Sequence, residues 1–169
     1  GPHPRIQRPI DMYGDRQNSL GRDYSRAEDR ELHTLALDRL DRERFSSGPI
    51  VGGALMAGQN VQEVTSPSDR LRVLGQVSEI TEKEIDRAID KAATAQLAWD
   101  RLGGAGRAPG LRAMGDALEA DMDRLVALLS REAGKTLNDA VAEVREAADF
   151  CRYYAMLAER QFAGRETLK

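Results

Sequence analysis

From Thr81 onward, apolar residues recur at helical spacing. Thr81-x-x-Glu84 has the form of a capping box, and Ile85, Ala88, Ile89, Ala92, Gln96 and Trp99 then fall on one face. Gly103-Gly104-Ala105-Gly106 is expected to stop that helix and begin an interhelical linker. Leu111, Met114, Leu118, Met122, Leu125 and Leu129 carry a second stripe through 108–133, where Asp121 is placed to divide it into two helices. Gly134 suits a helix C′ position, and Thr136-x-x-Asp139 reads as a third cap. It opens a long amphipathic helix whose stripe is Leu137, Val141, Val144, Ala148, Cys151, Tyr154 and Ala158.

Upstream the pattern changes. Ser25-x-x-Glu28 predicts a capped helix over Ala27–Arg44, with Leu32, Leu35, Ala36 and Leu40 as its stripe and Asp38–Arg42 as a surface pair. Ser46-Ser47-Gly48-Pro49 ends it. Extended runs follow at Ile50–Met56, Val61–Thr65 and Leu71–Val77, with turns at 57–60 and 66–69. Such short strands are marginal alone and need a partner surface. In residues 1–26 Pro2, Pro4, Pro9, Gly14 and Gly21 break all periodicity, which reads as an extended linker or tail, either solvated or lying along a larger body. The fold class is therefore mainly α with a small β-hairpin element, organised as a 1–26 tail and a 27–169 helical and β-hairpin part.

Composition narrows the function classes. Among 169 residues, 25 Lys plus Arg oppose 28 Asp plus Glu, a net charge of −3, so the chain carries no concentrated basic face for nucleic acid. Hydrophobic residues at 41% suffice for a core. No apolar run approaches the ~18–20 residues of a membrane span. The opening Gly1-Pro2-His3-Pro4 lacks the apolar segment of a signal peptide, and Gly1-Pro2 resembles a protease scar, so a cytoplasmic piece of something larger is expected.

Four features imitate chemical sites. Gly134-Lys135-Thr136 looks like the end of a phosphate loop, but Leu129 stands where the earlier glycine belongs and a helix precedes it. The glycines of 103–110 do not fit G-x-G-x-x-G and join helices. Cys151, the sole cysteine, sits on an apolar stripe and reads as a small core residue, and Trp99 reads as a core anchor. Glu143, Arg145, Glu146 and Asp149 form a charged helix face of the kind that is usually solvated. The residues alone show no nucleophile, acid–base pair, metal site or phosphate cradle.

The order of the segments resembles the aldehyde dehydrogenase family. Val64–Val77 is similar to its early stretch in which an N-P pair is followed by G-x-V, with Ser66 in place of Asn. The Ala-rich helix ending Ala98-Trp99, then Glu132-Ala133-Gly134-Lys135, and finally Arg152-Tyr153-Tyr154-Ala155 follow as in that family. Gly106-Arg107-Ala108 departs from the usual E-R-A start of the helix after the linker. Arg5–Gly14, Arg16–Asp23 and Gly48–Gly53 also resemble the entry into the dehydrogenase half of bacterial bifunctional proline-utilization flavoenzymes.

The resemblance implies a fragment of an α/β aldehyde dehydrogenase fold. The parent would oxidise L-glutamate γ-semialdehyde with NAD, through a Cys thiolate and a Glu-activated water, and its proline-oxidising half would carry FAD. Those catalytic groups and the cofactor-binding strands would come later in the fold, so this chain is expected to be inactive, with no cofactor of its own. Only Glu146 is carried over. It holds the place, four before Phe150, of a carboxylate lining the aldehyde pocket, where it would attract the substrate's α-ammonium group. Apolar faces left open imply self-association. The competing readings are a non-enzymatic helical interaction module and another aldehyde dehydrogenase subclass.

Overall fold

The computed structural model describes residues 3–163; Gly1-Pro2 and the end of the 27–169 part, 164–169, lie outside the described residues. The elements run α1 (Ala27–Leu40), β1 (Phe45–Ser47), β2 (Ile50–Val51), β3 (Ala54–Leu55), β4 (Gln59–Ser66), β5 (Asp69–Glu79), α2 (Glu82–Arg101), α3 (Gly103–Ala120), α4 (Met122–Glu132) and α5 (Leu137–Gln161). This is the mainly helical, partly β architecture expected.

The glycine-rich run is a helix, not a linker. Leu102 alone separates α2 from α3. Gly103 makes the bend with φ +62°, a value that glycine adopts without steric cost. Gly104, Ala108 and Gly115 then face α5 and are buried. A Cβ on Gly104 would stand 1.9 Å from the Ala158 carbonyl oxygen, and one on Gly115 would stand 3.0 Å from that of Ala148 and 3.2 Å from Cys151 Cβ. These glycines let two backbones approach closely. Spacing alone does not distinguish that requirement from a linker. Cys151 packs in this seam, buried, as the small core residue expected.

The core proper lies between α4 and α5, where Met122, Val126, Ala140, Val141 and Val144 are buried beneath Leu125, Leu129, Leu137 and Tyr24. Asp121 does separate α3 from α4, though its side chain makes no cap bond. Gly134 ends α4 with φ +64°, and Thr136 caps α5, accepting from the Asp139 N–H at 3.3 Å and donating to its carboxylate at 2.7 Å. Thr81 and Glu84 form the predicted N-terminal box of α2.

Other expectations are corrected. The Ser25/Glu28 box does not form: Ser25 donates to Asp23 at 2.6 Å, and Arg26 occupies the cap of α1 without a side-chain bond. The helix stops at Leu40 because Phe45–Ser47 pairs in parallel with Gly75–Val77 of β5, Phe45 lying where a Cβ on residue 75 would go. The buried side of α1 is His33 and Leu40, while Leu32 and Leu35 face outward. Asp38 and Arg42 form no ion pair. The 50–56 run is broken at Gly52-Gly53 into the β2–β3 hairpin. The three-stranded sheet has the order β1-β5-β4. No residue of α2 is buried: Trp99 is 52% exposed and anchors no core among the described residues. Tyr154 is also exposed, its expected place on the inner face of α5 being taken by Ala155.

Charged clasps join the layers. Arg131 grips Asp41 with two bonds of 2.8 and 3.0 Å, and Arg22 grips Asp123 with two of 2.7 and 2.8 Å. His33 is buried edge-on to Tyr24, with ring centroids 5.6 Å apart. Burial holds its pKa below the ordinary 6.5; Asp123 opposes this and Arg131 adds to it.

Gly104→Ala should lower Tm by roughly 4–10 °C, because overpacking costs ~1–3 kcal/mol at this chain length. Gly110→Ala, with nothing near its Cβ, should be neutral or stabilising by ~0.5–1 kcal/mol in the same melting experiment. For His33 the unfolded chain takes up the proton first, so stability should be full above about pH 6.5 and decline as the pH falls below it. Urea midpoints at pH 7.5 and 5.5 should differ, and His33→Phe should shrink the difference. The carboxylates whose pKa is held low, such as Asp41 and Glu84, act only below their ordinary 3.8 and 4.5.

Candidate substrate-facing surface of helix α5

Helix α5 has two chemically distinct sides. Its inner side presents small and branched residues to α3 and α4. Its outer side carries Glu143, Glu146, Phe150, Tyr153 and Tyr154, all exposed. Phe150 and Tyr154 lie one turn apart with ring centroids at 5.9 Å, and Tyr153 meets Tyr154 edge-on at 5.3 Å. The Arg16 guanidinium covers Tyr13 at 3.9 Å and approaches the Tyr153 ring at 5.9 Å.

The acidic cluster that sequence reading grouped together separates into three roles. Glu143 pairs with Lys135 at 2.7 Å, its hydrogen bond raising the Lys135 pKa. That engagement turns the ammonium of the apparent phosphate loop toward a carboxylate of its own chain. Asp149 accepts from the Ser19 N–H at 2.7 Å and from its hydroxyl at 3.0 Å. Arg145 runs along Gly21 with its Nε buried and unpaired. Glu146 makes no hydrogen bond or ion pair with any described residue and stands exposed one turn before Phe150. A carboxylate with open valences beside aromatic rings suits an ammonium-bearing partner.

Sequence reading missed the part played by residues 15–24. This segment lies along α3, α4 and α5, with Asp15 bonded to Arg160 at 2.8 Å, Leu20 N–H to the Glu119 carboxylate, and Arg22 to Asp123. Its anchors are backbone groups and scattered polar side chains with no periodicity to announce them. Among the described residues there is no cluster of three metal-ligating groups and no helix long and apolar enough to cross a membrane.

Comparison with known proteins places this geometry. The model of the aldehyde dehydrogenase family matches residues 55–169.

The chain belongs to the aldehyde dehydrogenase family.

It is 35% identical over 165 residues to the bifunctional protein PutA of Escherichia coli (strain K12), covering 96% of this chain and 12% of that protein. A structure of 1-pyrroline-5-carboxylate dehydrogenase superposes with a TM-score of 0.83 at 25% identity, over 90% of this chain and 30% of the other. The crystal analysis of 1-pyrroline-5-carboxylate dehydrogenase from Thermus with bound NAD gives 0.82 at 25%, with the same coverage. The chain thus spans about an eighth of the first relative and under a third of the dehydrogenase structures. Of the segments that suggested the resemblance, Val64–Val77, the helix ending Ala98-Trp99, Glu132–Lys135 and Arg152–Ala155 lie inside the matched region, and Arg5–Gly14, Arg16–Asp23 and Gly48–Gly53 precede it. Those inside it are the β4–β5 hairpin, the end of α2, the α4–α5 turn and one turn of α5.

Proposed function

We propose that this chain is part of an NAD-dependent dehydrogenase that oxidises L-glutamate γ-semialdehyde to glutamate in proline catabolism, and that its contribution is to recognise the substrate rather than to carry out the chemistry. Family membership and the PutA and 1-pyrroline-5-carboxylate dehydrogenase relatives support the reaction class. The observation that carries the reading at residue level is Glu146. It is the one carboxylate of its cluster with no partner among the described residues, and an amino aldehyde offers the cation it lacks.

Neither described segment of this chain that imitates a phosphate loop fits the nicotinamide cofactor. The glycines of 103–110 are helical and packed on α5, and Lys135 is held by Glu143, so neither segment forms a phosphate cradle. Cys151 is buried against Gly115, away from the electropositive, accessible setting that a thiolate nucleophile needs. What remains for this chain is binding. Glu146 would hold the α-ammonium group, and Phe150 and Tyr154 would shield that ion pair from water and strengthen it. Such an interaction, made alike in ground and transition states, lowers KM more than it raises kcat.

Glu146→Gln in the full-length enzyme tests this. A charged hydrogen bond at a partly open site is worth ~1.5 kcal/mol, so KM for the semialdehyde should rise about tenfold with little change in kcat. An unchanged KM refutes the assignment.

We also propose that the 169-residue chain by itself associates with a second copy through α2. Ile85, Ile89 and Trp99 are 42%, 60% and 52% exposed, an apolar face that no described residue covers. Acidic and basic residues alternate beside it, from Glu82, Lys83 and Glu84 to Asp100 and Arg101, so two copies can pair without like-charge repulsion. Light scattering should report a mass above the monomer, and Ile89→Glu should reduce it; a monomer at high concentration would dispose of the idea.

A further inference from the structure

Ser19 is 2% exposed, the most buried residue of the segment that crosses α5. Its N–H donates to one carboxylate oxygen of Asp149 at 2.7 Å; its hydroxyl donates to the other at 3.0 Å and lies 3.3 Å from the Arg145 carbonyl. The Asn18 amide, oriented to satisfy its neighbours, adds a donor 2.8 Å from the same carboxylate. Leu20 and Arg22 then peg the segment to Glu119 on α3 and Asp123 on α4.

Arg145 and Asp149 are four residues apart, so Ser19 spans a single helical turn. Glu146 lies within that turn. With no partner of its own among the described residues, its carboxylate is placed only by the backbone beneath it. A group that binds ligand from an exposed helix surface loses affinity to every motion of that backbone, and a buried strap fastened across the turn suppresses those motions before the ligand arrives.

We propose that Ser19, acting through Asp149, is a positioning residue for Glu146: residues 18–22 fasten the α5 turn that presents the substrate-binding carboxylate. The inference rests on the role of Glu146 proposed above. It also gives the segment preceding the dehydrogenase helices a task in substrate selection, so that strain arising upstream would be felt at the ammonium site.

The test uses the full-length enzyme carrying Ser19→Ala or Asp149→Asn, assayed with glutamate semialdehyde and with glutarate semialdehyde, which lacks the ammonium group. Ser19→Ala should raise KM for the amino aldehyde roughly three- to tenfold, leave kcat within about twofold, and leave glutarate semialdehyde unaffected. Ser19→Thr should restore the wild-type KM. Hydrogen exchange at amides 146–150 should quicken in Ser19→Ala while α3 keeps its protection. An equal rise in KM for both substrates, or a lowered Tm with unchanged KM, overturns the proposal. Glu146→Gln separates the two levels. If it leaves the preference for the amino aldehyde intact, the assignment of Glu146 fails and the strap's role falls with it. If it abolishes the preference while Ser19→Ala does not, the strap alone is refuted. Should Ser19→Ala not fold, Asn18→Ala removes one of the three donors, and the same measurements decide.

Discussion

The close approach of α3 to α5 is the constraint on which the rest of this structure depends. Two helices that meet at Gly104, Ala108 and Gly115 on one side and Ala148, Cys151 and Ala155 on the other have little room for a larger side chain at either glycine. Dispersion contacts are individually weak, and a seam of small residues gathers many of them over several turns. It also fixes the rotation of α5 about its axis. With the small side pressed on α3 and Val141 and Val144 against α4, Glu146, Phe150 and Tyr154 must face the other way.

Polar clasps then set the ends of the elements that this seam orients. Arg131 with Asp41 ties the end of α1 to α4, and Arg22 with Asp123 ties the amino-terminal segment to the start of α4. Both are two-point guanidinium–carboxylate pairs, whose value lies in direction as much as in energy. His33 sits between them as a neutral ring edge-on to Tyr24, where a charge would be poorly solvated. Burial lowers the pKa of that ring, so a proton on it would weigh against the docking of α1, through a group remote from the surface of α5.

Much of this was legible in the residues. The caps at Thr81 and Thr136 and the stop at Gly134 are local rules that need only a few neighbours, and they formed as expected. The family could be read from segments whose order and spacing survive where identity is low. What failed were inferences that required knowing the partner surface. Glycines at 103–106 serve a linker and a helix seam equally well until Ala158 is seen opposite them. Ser25 and Glu28 have the spacing of a box, yet Asp23 lies closer to the hydroxyl and wins it. Residues 41–44 read as helix because the strand that follows them, Phe45–Ser47, is fixed by a partner, Gly75, thirty residues away. At the candidate site Glu146 was found by resemblance, whereas the strap that holds its turn was invisible, since Asn18 and Ser19 carry no pattern until Asp149 is placed beneath them.

Helix α2 shows the same lesson in reverse. Its apolar stripe is as regular as that of α5, but no residue of it is buried. An isolated helix gains nothing from such a stripe, which costs solubility wherever it meets water. The polar anchors of residues 15–24, by contrast, find their counterparts on α3, α4 and α5. The amino-terminal segment is thus matched to surfaces inside this chain, whereas no described residue covers the stripe of α2. On that division α5 stands between a side completed from within and an acidic, aromatic side still open, the side on which an amino aldehyde would be met.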